Sequence, residues 1–147
     1  MIIIYTDGKI DVMINEKMHY ISDLYSKKMT SSKRCNNVTI AGDIAYLSMD
    51  FGILTFDLNR YEFKDTYYIG NDAKEVQVLD VMLSGDSIYA KTAGGVYSAC
   101  LSDNIVDFRY WELLKVGSVE FDNKKGKEYK NQRGDVWKAL GSQGVYC

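Results

Sequence analysis

One short pattern recurs along this chain at a near-constant interval. Asp43-Ile44-Ala45-Tyr46-Leu47-Ser48 runs through Met49-Asp50-Phe51-Gly52 into Ile53-Leu54-Thr55-Phe56. Asp86-Ser87-Ile88-Tyr89-Ala90-Lys91 runs through Thr92-Ala93-Gly94-Gly95 into Val96-Tyr97-Ser98-Ala99. Asp135-Val136-Trp137-Lys138-Ala139-Leu140 runs through Gly141-Ser142-Gln143-Gly144 into Val145-Tyr146. A fainter copy, Ile2-Ile3-Ile4-Tyr5-Thr6-Asp7-Gly8 followed by Lys9-Ile10-Asp11-Val12, opens the chain. The turn glycines Gly8, Gly52, Gly95 and Gly144 are spaced 44, 43 and 49 residues apart. A period of roughly 40–50 residues with strand-turn-strand content marks the blades of a β-propeller.

The repeat predicts an all-β chain of four-stranded antiparallel blades, an incomplete propeller of about three blades. The second unit, residues 37–70, places strands at 38–40, 44–48, 53–56 and 62–69. Gly42-Asp43 turns between the first two. The third unit, residues 76–114, repeats the plan with strands at 76–83, 87–91, 96–101 and 108–113, and with Gly85-Asp86 as the matching turn. Residues 1–36 and 116–147 read as partial blades. At about 44 residues per blade the chain holds roughly three and a third units, whereas propellers typically need at least four. Open blade edges, and self-association through them, are the expectation. No segment carries a clean helical stripe; residues 23–29 come nearest and are too short.

Composition narrows the function classes. A length of 147 residues supports one domain with a real core, and a net charge of −2 suggests neither nucleic acid nor an anionic membrane as partner. Basic residues occur in pairs, Lys27-Lys28 and Lys33-Arg34, and in the loop 122–127. They are not interleaved with aromatics, so a nucleic-acid stripe is absent. Twelve Tyr, five Phe and two Trp suit strands packed face to face, and the lack of Pro argues against a Pro-rich linker. No run reaches the roughly 20 apolar residues of a membrane helix. Residues 1–5 are apolar but too short for a signal peptide.

The residues that could carry chemistry do not assemble into a motif. His19 is the lone histidine and has no partners at metal-ligand or triad spacing. Cys35, Cys100 and Cys147 lack any Cys-x-x-Cys spacing and read as unpaired thiols, with one disulfide open in an oxidising compartment. Asp50-Phe51-Gly52 has the letters of the kinase metal-binding triplet, yet it sits at the repeating turn and reads as a hairpin. Gly94-Gly95 reads as a source of positive φ, since no helix follows it to cradle a phosphate. Asp43, Asp86 and Asp135 recur before the same strand, and their repetition predicts side chains that cap turns by accepting backbone N–H bonds. Tyr67, Tyr68, Tyr110 and Trp111 fall in the outer strands, where inter-blade packing competes with sugar stacking. The reading is therefore no catalytic residue, no metal, no cofactor and no assigned binding residue: not an enzyme.

These segments also carry a resemblance. Residues 136–146 and 88–97 resemble the repeat of two-component-regulator type propellers of Bacteroidetes. Ala45-Tyr46-Leu47-Ser48-Met49-Asp50-Phe51-Gly52-Ile53, with Phe56-Asp57-Leu58 and Lys64-Asp65-Thr66-Tyr67, resembles the N-terminal propeller of PorZ-like proteins, which are linked with the type IX secretion system. Tyr5-Thr6-Asp7-Gly8-Lys9-Ile10 and Tyr20-Ile21-Ser22-Asp23 fit the same region. The likeness spans residues 2–114, with a weaker final unit. It implies a binding or assembly module in the periplasm or at the cell surface, with a protein or surface-glycan partner at the envelope. The alternative it implies is a periplasmic glycan-sensing propeller of a two-component regulator. Family members are larger and carry an export signal.

Overall fold

The computed structural model describes residues 2–5, 10–14, 17–21, 31–114, 128–130, 136–139 and 145–146. Its strands are β1 (Ile2–Ile4), β2 (Ile10–Ile14), β3 (Lys17–Ile21), β4 (Cys35–Ala41), β5 (Ile44–Met49), β6 (Gly52–Asp57), β7 (Glu62–Tyr67), β8 (Asp80–Ser84), β9 (Ser87–Thr92), β10 (Gly95–Cys100), β11 (Glu112–Leu114), β12 (Glu128–Lys130), β13 (Val136–Ala139) and β14 (Val145–Tyr146). They form three sheets, ordered β4-β5-β6-β7, β11-β10-β9-β8 and β12-β13-β14-β1-β2-β3. Every described strand pairing is antiparallel. The first two sheets are the expected blades, here called the first and second blade.

The turns sit where the repeat put them. Gly42 and Gly85 lie in left-handed backbone, at φ +61° and +58°, as two-residue hairpin turns require. The hairpins at Gly52 and Gly95 also need positive φ, at +152° and +135°. After each turn the chain returns to the same carbonyl: Leu58 N–H donates to the Asp43 carbonyl at 2.9 Å, and Leu101 N–H to the Asp86 carbonyl at 2.7 Å. No described side-chain oxygen of Asp43 or Asp86 accepts a backbone N–H; Asp43 Oδ2 accepts from Asn59 Nδ2 at 3.2 Å. The recurrent aspartates therefore act through their main chain, which corrects the side-chain capping expected from sequence. Asp135 lies outside the described residues.

Two further expectations are corrected. The first strand of the second blade begins at Asp80, not at residue 76. Residues 76–78 instead run along the first blade's β5–β6 turn, with Val76 N–H on the Phe51 carbonyl (3.3 Å) and Val78 N–H on the Met49 carbonyl (2.9 Å), and Leu79 N–H is the first to reach β9, on the Lys91 carbonyl at 2.8 Å. The outer strand placed at 108–113 is a 3-10 turn over Phe108–Tyr110 followed by the three-residue β11. Asp107 caps that turn by accepting from Arg109 N–H at 3.0 Å, which bends the chain before it can pair. The expected strand at 62–69 is shorter, ending at Tyr67.

Alternation assigns each side chain to one of two cores. Ala45, Leu47 and Met49 of β5, with Leu54 and Phe56 of β6, join Val38, Ile40, Phe51 and Leu58 on one face of the first blade. Tyr46 and Ile53 point the other way and meet Val78, Val81, Ile88, Ala90 and Ala99 of the second blade. The first blade is thus covered on both faces, and this is why Ile53-Leu54-Thr55-Phe56 reads as a near-continuous apolar run. Full burial of each such aliphatic side chain contributes about 1.5–3 kcal/mol. The Ser48 hydroxyl, also in this interior, has no hydrogen-bond partner among the described residues.

Thr55 is buried for a specific reason. The β6–β7 register shifts between Leu54 and Phe56, so the backbone there loses its ladder partner. The Thr55 hydroxyl fills the gap, accepting from Asp65 N–H at 2.8 Å and donating to the Asp65 carbonyl at 3.1 Å. Thr55→Val keeps the shape and strands both groups. It is expected to lower the unfolding free energy by about 2–3 kcal/mol. Urea denaturation checks this, and a loss under about 0.5 kcal/mol would show that the bulge holds without the hydroxyl.

The third sheet joins the partial units. β14 pairs with β1, with Val145 opposite Ile2, so the strands of residues 1–36 and 116–147 share one six-stranded sheet. The edges that the repeat count left open between those two units are paired at this point. β4 of the first blade lies beside β12 and β13.

Candidate binding surface

The leading strands of the two blades, β4 and β8, lie side by side. Polar groups tie them together. Asn37 Nδ2 donates to Asp80 Oδ1 at 2.5 Å, and Thr39 Oγ1 donates to the Val81 carbonyl at 2.7 Å. Asn36 Nδ2 donates both to Asp50 Oδ1 and to the Val78 carbonyl, each at 2.9 Å. Gln77 Nε2 donates to the same Asp50 oxygen at 2.8 Å. Ser31 N–H reaches Glu75 Oε2 at 2.9 Å. Asp50 of the Asp-Phe-Gly turn is thus a latch between blades, with Phe51 buried beneath it against Tyr68. The kinase-like letters have a packing explanation.

The two seam carboxylates titrate in opposite senses. Burial pushes Asp50 up, but hydrogen bonds from Gln77, Asn36 and Ser32 and the nearby Arg34 charge outweigh it, and its pKa is lowered. Asp80 is raised: burial wins over its bonds from Asn37 and the Val81 N–H and over the Lys91 charge. Asp50 therefore contributes stability above the ordinary carboxylate pKa that is lost as pH falls through its lowered value. Asp80 carries a penalty above its raised value that fades as pH falls toward the ordinary one. Urea midpoints measured against pH should show less acid-side loss in Asp50→Asn and more in Asp80→Asn than in the parent chain. The reverse order would contradict this assignment.

Buried positions account for Cys35, Tyr67 and Trp111 among the other residues singled out in the sequence. Cys35 and Cys100 are free thiols. Burial pushes the Cys35 thiol up to about 12, so it is a poor nucleophile. Cys147 lies outside the described residues. His19 stands opposite Val12 in the β2–β3 register. Tyr67 and Trp111 face each other across the blades, ring centroids 6.2 Å apart, with the indole N–H donating to the Ile105 carbonyl at 2.8 Å. Burial raises the Tyr67 phenol to about 12. These rings form core and are closed to a sugar. Among the described residues no His, Cys, Asp and Glu converge as a metal site. The basic pair Lys27-Lys28 and the loop 122–127 lie outside the described residues.

What remains outward is a rim built by two 3-10 turns that lie together, Asn71–Ala73 and Phe108–Tyr110. Val106 is 52% exposed and Tyr110 46%, while Asn71, Asp72 and Arg109 are also exposed. The Arg109 guanidinium clasps Asp107 through Nε at 3.0 Å to both carboxylate oxygens, which removes its charge as a free handle. Asp72 and Ala73 both adopt left-handed backbone, φ +56° and +55°. Non-glycine residues there cost about 1–2 kcal/mol each. Such strain persists where the surroundings fix the chain, and it gathers at binding sites. Sequence reasoning named Tyr110, and Gly70-Asn71-Asp72 as the close of the strand at 62–69, but missed Val106; Asp107 ahead of Phe108 is the signal that could have marked its turn.

A family model described as TSS9, PorZ, N-terminal beta-propeller domain matches residues 1–112. Among solved structures, the chain is similar to PorZ, an essential bacterial surface component of the type IX secretion system of the human oral bacterium Porphyromonas gingivalis. The identity is 25% and the TM-score 0.68, over 97% of this chain. The chain spans 19% of the length of that PorZ. The extracellular domain of a candidate one-component system from B. thetaiotaomicron aligns over 94% of this chain and 18% of its own, with 14% identity and a TM-score of 0.42. Among curated proteins none matches.

Proposed function

Because the chain belongs to the PorZ N-terminal β-propeller family, we propose that it is a non-enzymatic binding and assembly module of the type IX secretion type, working at the periplasmic or outer surface of the cell envelope. The observation that carries this reading is the family match over residues 1–112, together with the likeness to a surface component of that system. The chemistry of the described residues agrees with it. The seam carboxylates Asp50 and Asp80 are engaged by amide side chains, Cys35 is shielded, and the Tyr67–Trp111 pair is packed away. The outward groups are those of a contact surface, an exposed Tyr and Val on a strained rim. No helix of the described residues is long and apolar enough to cross a membrane.

The partner is a protein component of the secretion apparatus, met through Val106 and Tyr110. The test is titration of the purified chain against purified type IX components. Saturable binding that Tyr110→Ala and Val106→Asp weaken supports the reading. Turnover of glycoside or polysaccharide substrates, or saturable binding of a glycan at Tyr110 with no protein partner engaged, would overturn it and favour the sensor alternative.

A further inference from the structure

We draw no further inference here: the strongest candidate, the half-buried face of the second blade that carries Tyr89 and Val96, carries nothing because nothing in the structure shows what covers it.

Discussion

Trp111→Ala is expected to lower the unfolding free energy by about 3–5 kcal/mol, the usual cost of truncating a buried aromatic. Tyr110→Ala, one residue earlier, should change it by less than about 0.5 kcal/mol. The contrast rests on where the 3-10 turn aims the two rings. Trp111 is 8% exposed, packs on Tyr67 across the blade interface, and donates its indole N–H to the Ile105 carbonyl. Its loss opens a cavity and also leaves that carbonyl without its donor. Tyr110 points to solvent. Domains of this size hold only about 5–15 kcal/mol in total, so Trp111→Ala should melt far below the parent chain. Paired thermal and urea unfolding of the two variants gives the answer. If Trp111→Ala unfolds with the parent chain, the indole is not part of the core, and its assignment to a ligand reopens.

The same pair shows which parts of the molecule the sequence could reveal. Turn positions were legible because left-handed backbone selects glycine, and Gly42, Gly52, Gly85 and Gly95 all prove to need positive φ. Blade faces were legible because alternation puts Tyr46 and Ile53 on one side and Leu47 and Leu54 on the other. The segment 76–78 was not, since Val76-Gln77-Val78 alternates like a strand whether it pairs in its own sheet or runs along a neighbour's turn. Only the acceptors, the Met49 and Phe51 carbonyls, decide between them. The Asp50 latch was hidden for a similar reason. Its donors Asn36 and Gln77 lie 14 and 27 residues away, one in β4 and the other in the segment that leads to β8. The rim was half visible: an aromatic at 110 could be named, but its exposure depends on a three-residue turn that Asp107 imposes.

Gly52→Ala is expected to cost about 2–4 kcal/mol, more than a positive-φ glycine does by itself. Two penalties act at this site. The backbone stands at φ +152°, outside what an alanine readily adopts. A Cβ there would also drive into the carbonyl oxygen of Tyr67, a backbone atom held in the β6–β7 ladder. The ladder cannot yield as a side chain would, because Tyr67 is also packed against Trp111. Gly42 and Gly85 supply the controls. Both have positive φ, at +61° and +58°, and a Cβ at either meets nothing within 4 Å. Gly42→Ala and Gly85→Ala should therefore cost only the left-handed penalty, about 1–2 kcal/mol each. Gly95→Ala falls between, since the atom it meets at 3.0 Å is a Leu113 methyl that can swing aside. Urea unfolding of the four variants ranks them. Equal losses at Gly42, Gly52 and Gly85 would mean that the hairpin moves away from Tyr67 without cost, and the close approach of β7 to the Asp50-Phe51-Gly52 turn would then play no part in holding the blade.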